Sequence, residues 1–167
     1  VAGVSDGRDA VVDEGLGPVT ATPIIRWLHD VDGPVGQFNQ TMVLQAPAGV
    51  TPTDVVVVLQ ALLDRHAMLR LRAEDDGAGG WSLHIPESGS VRADACLHTV
   101  DALSDEVLVA ARSRLDPADA MLLSALWVGS TGQLVLIIHH LAVNAVSWRI
   151  LAEDLNIAWA QHPNGQP

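Results

Sequence analysis

Two adjacent histidines, His139 and His140, close an apolar run that begins at Leu134. Asn144, Ala145, Ser147, Trp148 and Arg149 follow directly. An unperturbed imidazole titrates near pH 6.5, so it suits taking and returning protons close to neutrality. A positioned base of this kind speeds a proton transfer by about two to four powers of ten. The competing reading is a pair of histidines packed at a strand end, hydrogen-bonded and inert. Zinc is a third reading, and a poor one. Neighbouring strand side chains point to opposite faces, so the pair cannot converge on one ion. His66, His84 and His98 stand in other segments without ligand spacing. Ser147 could be called a nucleophile, but it lacks a Gly-x-Ser-x-Gly setting and reads as a helix-start hydroxyl.

The elements around the pair decide how well it is held. Leu134 to Ile138 is rich in β-branched residues and too short for a free-standing helix, so it reads as a buried strand. Val146, Ile150, Leu151, Leu155, Ala158 and Trp159 then recur at spacings of three and four, which predicts a helix. A loop between a rigid strand and a rigid helix fixes its side chains. On that helix Trp148 is either core or a contact for another part of the molecule.

Upstream, Thr22-Pro23 starts a helix with Ile24, Trp27 and Leu28 on one face, ended by Asp32-Gly33-Pro34. Asn39 to Gln45 alternates as a strand. Its Asn39-Gln40-Thr41 triplet matches a glycosylation acceptor by chance. Thr51-Pro52-Thr53-Asp54 opens a helix through about His66, despite the β-prone run Val55 to Val58. His66 at its end suits the helix dipole. Leu69 to Glu74 and Trp81 to Ile85 read as a hairpin across Asp76-Gly-Ala-Gly-Gly80. Cys96 to Val100 reads as a short strand. Ser104 caps a helix to about Arg114, broken at Asp116-Pro117. Leu122 to Val128 and Gln133 to Ile138 form a second hairpin. Strands interspersed with helices predict an α/β fold, an α+β sandwich of a sheet covered by helices.

Several stretches together carry a resemblance. His139-His140-Leu-Ala-Val-Asn144-Ala145 resembles the His-His-x-x-x-Asp-Gly signature of the condensation-domain superfamily of nonribosomal peptide synthetases. Ser147-Trp148-Arg149 directly after it resembles the epimerization domains rather than the peptide-bond-forming ones. Thr20-Ala-Thr-Pro23-Ile24-Ile-Arg26-Trp27 is similar to the family's opening Leu-Thr-Pro-Ile-Gln-Arg-Trp. Phe38-Asn39-Gln40 resembles the Phe-Asn-Gln of epimerization domains. Leu62-Leu-Asp-Arg-His66-Ala-Met-Leu69-Arg70 resembles Leu-x-x-x-His-x-x-Leu-Arg, and Leu115-Asp116-Pro117 resembles Leu-Asp/Asn-Pro. The match covers about residues 18 to 160, with the motifs in order.

The resemblance implies one lobe of the two-lobed chloramphenicol acetyltransferase-like fold, with the active site between the lobes. This chain matches the amino-terminal lobe over 18–162. Residues 1–17 are expected to be a linker or flexible tail, and 163–167 a linker. It implies L-to-D epimerization of an aminoacyl or peptidyl thioester. Here His140 is one acid/base group, His139 a structural neighbour, and the opposing glutamate belongs to the second lobe. The chain itself would bind no cofactor, since the substrate rides on the phosphopantetheine of a peptidyl carrier protein. The expected partners are that carrier protein and the second lobe. Two alternatives stay open: a condensation domain in which His140 positions an attacking amine, and an inactive module that docks a carrier protein or tailoring enzyme. Asn144 stands where the signature has Asp, which in the family pairs with an arginine. Ala145 stands where it has Gly. Ala120 and Ser124 stand where the family usually has Gly and Arg.

Composition narrows the classes further. The chain has 167 residues, is 49% hydrophobic and carries a net charge of −11. All nine basic residues are Arg. So acidic a chain, with no basic patch in its sequence, is a poor binder of nucleic acid. No apolar run is long enough to span a membrane. A lone cysteine, Cys96, suits a reducing compartment, and a cytoplasmic location is expected. It is either a redox nucleophile or, more simply, a small buried residue.

Overall fold

The computed structural model describes residues 15–31 and 38–162. The expected linkers, over residues 1–14 and 163–167, and the Asp32-Gly33-Pro34 turn lie outside them. The strand that ends in the histidine pair lies inside a four-stranded sheet. From one edge the order is β2 (Asn39–Gln45), β7 (Gln133–His139), β6 (Leu123–Val128), β5 (Leu97–Val100). β2 and β7 are antiparallel along their whole length, from Asn39 opposite His139 to Gln45 opposite Gln133. β6 and β7 form the expected hairpin, and β5 joins β6 in parallel.

Helices cover both faces of this sheet. On one face α2 (Pro52–Arg65) and α5 (Ala145–Gln161) pack Leu59, Leu62, Leu63, Leu151 and Leu155 onto Leu134, Leu136 and Ile138. On the other, α4 (Asp105–Arg112) brings Ala111 against Leu126, Val135 and Ile137. β7 is therefore buried on both sides, which is why its sequence is continuously apolar instead of alternating. Each such side chain taken out of water contributes about 1.5–3 kcal/mol.

The four-valine run of α2 is helical because its start is strongly specified. Pro52 sits in the first turn, and Thr51 and Asp54 form a reciprocal capping box. The run also puts Val55 and Val58 on the buried face with Leu59, Leu62 and Leu63. α3 (Ala93–Cys96) is one turn leading into β5.

A second, smaller sheet has the order β1 (Gly17–Pro18), β4 (Trp81–Ile85), β3 (Arg72–Asp75). Gly17, the last residue of the expected linker, thus already pairs with Ile85. α1 (Pro23–His29) packs Ile25 and Leu28 onto Leu83, Ile85, Leu122 and Leu141.

Three expectations are corrected. The strand expected from Leu69 begins at Arg72, because Ala67–Arg70 is a 3₁₀ turn that folds Arg70 inward. That buried guanidinium donates to the carbonyls of Leu63, Asp64 and Pro86. On α1 the buried pair is Ile25 and Leu28, while Ile24 and Trp27 are 61% and 52% exposed. On α5 the buried stripe is Trp148, Leu151 and Leu155, so Val146 and Ile150 face outward. In both helices the apolar set is wider than the face that meets the sheet. Among the described residues no helix is long and apolar enough to cross a membrane.

Candidate active site

The site is the loop between β7 and α5. β7 carries the chain to His139, whose N–H donates to the carbonyl of Leu122 at 2.9 Å. Strand alternation then sends the two imidazoles in opposite directions. His139 is fully buried, and its Nδ1 accepts the N–H of Leu141 at 3.1 Å. A ring nitrogen that accepts cannot carry the proton, so this hydrogen bond places the ring hydrogen of His139 on Nε2.

His140 is half-buried and set the other way round. Its Nδ1 lies 2.7 Å from the carbonyl oxygen of Val143. A carbonyl only accepts, so Nδ1 donates, and in the neutral ring Nε2 carries the lone pair. Nε2 has no partner among the described residues. The ring stacks on Phe38, with centroids 4.9 Å apart and planes 19° from parallel. The His140 N–H donates to the carbonyl of Phe38 at 2.8 Å. The imidazole borders a cleft of about 210 Å³ whose other walls are Ile24, Ile25, Trp27, Leu28, Phe38 and Leu141. So the Nδ1 of one histidine accepts a backbone N–H inside the fold, and the other ring donates from Nδ1 and borders an apolar cleft.

The rest of the loop is held from its far end. Asn144 is the N-cap of α5, and its Oδ1 accepts from the N–H groups of Val146 and Ser147 at 3.0 and 2.9 Å. The Ser147 hydroxyl donates to the same oxygen at 3.0 Å, as a helix-start hydroxyl does. Arg70 is the one buried arginine among the described residues, and its guanidinium is satisfied by three backbone carbonyls and not by a carboxylate. Ala145 is not among the residues with positive φ, so replacing Gly there costs no backbone strain. Trp148 is 8% exposed and donates from Nε1 to Gln40 Oε1 at 2.6 Å. Arg149 is exposed and pairs with Glu153 one turn on, at 3.2 Å.

The structure thus gathers His139, His140, Asn144, Ser147 and Trp148 around one loop. Ala145 and Arg149 sit on its solvent side. Sequence reasoning missed the Val143 carbonyl, a backbone group with no side-chain signal, and the ring contact of Phe38. Phe38-Asn39-Gln40 was the available hint, and β2 brings it alongside the pair. Cys96 is buried, and burial pushes its thiol up to about 11, which removes it as a nucleophile at neutral pH. Among the described residues no group of three or more His, Cys, Asp or Glu is placed to hold a metal.

The condensation domain profile matches residues 25–167. A linear gramicidin synthase polypeptide of Brevibacillus parabrevis is 34% identical over 183 aligned positions, covering 98% of this chain and 2% of that protein. The epimerization domain from the third module of tyrocidine synthetase B superposes with a TM-score of 0.75 at 22% identity, over 90% of this chain and 36% of that one. The X-domain from teicoplanin biosynthesis, solved with OxyB, superposes at 0.62 and 19% identity, over 89% and 35%. The chain therefore spans about a third of these solved chains and a small part of the synthase, and has the α/β fold of one lobe. It belongs to the condensation-domain family.

Proposed function

We propose that this chain is the amino-terminal lobe of an epimerization domain, acting on an aminoacyl or peptidyl thioester. The observation that carries the reading is the paired hydrogen-bond set of His140: Nδ1 donates to Val143 and Nε2 is left basic. The α-proton of a thioester is weakly acidic, because the carbanion left behind delocalises into the carbonyl. Nε2 takes that proton on one face and, as imidazolium, can give one back. A second acid/base group must serve the other face, and the resemblance assigns it to a glutamate of the second lobe. The substrate is proposed to arrive on the phosphopantetheine arm of a peptidyl carrier protein. The apolar walls of the cleft suit the low-dielectric setting in which a fixed base works best.

Phe38-Asn39-Gln40 and Ser147-Trp148-Arg149 favour epimerization over peptide-bond formation. Residues of both segments make contacts near the loop: Phe38 stacks on the His140 imidazole and Trp148 donates to Gln40. The test joins this chain to its downstream lobe, supplies an L-aminoacyl carrier protein, and follows the D:L ratio. Epimerization appears as D product that disappears in His140→Ala. Peptide product with an added acceptor amine, and no D product, would show the condensation alternative. A folded complex that binds the carrier and yields neither product would show a docking module.

A further inference from the structure

The two segments whose resemblance favours an epimerization domain meet through one hydrogen bond. The indole N–H of Trp148 donates to the side-chain oxygen of Gln40, 108 residues away in sequence, at 2.6 Å. β2 places this bond relative to the base. Asn39 pairs with His139 and Gln40 with Ile138, so Phe38 stands across from His140 with Gln40 two residues further on. The same strand start therefore touches the imidazole through Phe38 and grips α5 through Gln40.

Between these two grips hangs the loop that carries the acceptor of Nδ1. That acceptor is the carbonyl of Val143, and a loop carbonyl is only as fixed as its anchors. The Val143 side chain is 3% exposed and lies in one cluster with Ile138, Trp148 and Leu151. Asn144, the next residue, accepts the backbone N–H of Trp148 at 3.1 Å. Trp148 thus holds the loop by its main chain and β2 by its side chain. A buried indole N–H needs some partner. Its partner here is a side chain from the strand that already fixes the ring of His140.

We infer that Gln40 and Trp148 are a positioning pair for His140: their hydrogen bond holds the Val143 carbonyl against Nδ1 and so selects the tautomer that leaves Nε2 basic. Neither side chain is a reacting group. The inference rests on the epimerase reading for its kinetic consequence, but its structural content concerns the imidazole alone.

The test removes each half of the bond without removing its bulk. Gln40→Leu deletes the acceptor and Trp148→Phe deletes the donor, while Gln40→Glu keeps an acceptor. In this chain labelled with 15N-histidine, the His140 ring nitrogens of the native protein should report hydrogen on Nδ1. Both deletions should shift that signal toward a mixture of tautomers, and Gln40→Glu should not. In the two-lobed protein the deletions should lower kcat by about ten- to a hundredfold with KM little changed, the usual effect of a displaced catalytic group. The double variant should lose no more than either single one, because both remove the same bond. Folded deletion variants with the native tautomer and native kcat would overturn the inference. If Trp148→Phe does not fold, Gln40→Leu, which leaves the indole in the core, decides alone. A tautomer shift in a protein that epimerizes nothing would uphold the positioning pair and sink the epimerase.

Discussion

The carbonyl oxygen of Val143 fixes which nitrogen of His140 donates, and on the proposed reading it thereby leaves Nε2 as the base. The two histidines are chemically identical, but they differ in burial and in what each Nδ1 meets: an N–H for His139 and a carbonyl for His140. The pair itself was plain in the sequence, and so was the expectation that its rings diverge. Which ring would be basic was not derivable from residue types, since both deciding groups belong to the main chain. Asn144 shows a similar limit. Its identity raised the prospect of a lost ion pair, but its work here is to cap α5. Asn144→Ala should therefore destabilise the protein by about 0.5–2 kcal/mol, the usual loss of an N-cap, while Asn144→Asp keeps the cap and should not. Urea midpoints of the two variants check this. Ala120 is different, because there the departure from glycine does cost. It lies at φ 58°, the only non-glycine with positive φ among the described residues. A left-handed residue with a Cβ costs about 1–2 kcal/mol, and the flexibility of Gly in the unfolded chain returns about 0.5–1. Ala120→Gly should then gain about 0.5–1 kcal/mol, seen as a higher Tm.

At the level of elements, α2 and α5 are clasped at two places by histidine–carboxylate pairs. His66 and Arg65 share Asp154 at 2.8 and 2.9 Å, and His162 meets Asp54 at 2.8 Å. Burial opposes ionisation of Asp154, but its hydrogen bonds from Arg65 and His66 outweigh it and leave the carboxyl below its usual range. At Asp54 the Thr51 hydroxyl, then the His162 imidazole, hold the carboxyl down to about 2. A folded-state value below the unfolded one means the unfolded chain takes its proton first as pH falls. The stabilisation is complete above about pH 4 and drains away toward pH 2. Asp54→Asn should flatten the dependence of unfolding free energy on pH across that window, as denaturant midpoints would report. The caps of α2, the hairpins and the buried strand were legible because each rests on local chemistry: a capping box, a glycine turn, a continuous apolar run. The faces of α1 and α5 were not. Which apolar residue meets the sheet depends on how each helix lies, and helical spacing alone leaves Ile24, Trp27, Val146 and Ile150 as plausible as the residues actually buried. Ser124 adds a point on β6, where its hydroxyl is buried with no hydrogen-bond partner among the described residues. Ser124→Ala should be neutral or stabilising, because it removes an unsatisfied polar group instead of a bond. A thermal melt would show which.

For the whole molecule, the sequence pointed to a sheet covered by helices and to one lobe, and the fold agrees, with the refinement that the strands divide into two sheets joined through Leu122 and Leu141. That division could not be read from the strands one at a time, because pairing partners far apart in sequence decide it. Around His140 the exposed Ile24, Trp27 and Phe38 form an apolar rim to the cleft. In the proposed two-lobed enzyme this rim lies where substrate and second lobe would meet the base. The central claim, that Nε2 of His140 exchanges the α-proton, is tested most directly by isotope uptake. The two-lobed protein is incubated in deuterated water with an L-aminoacyl carrier protein, and α-deuterium is followed by mass spectrometry in native and His140→Ala forms. The account predicts deuterium in the native reaction, appearing in the D product, and a loss of roughly two to four powers of ten in rate in the variant. Uptake that persists unchanged without the imidazole would contradict it.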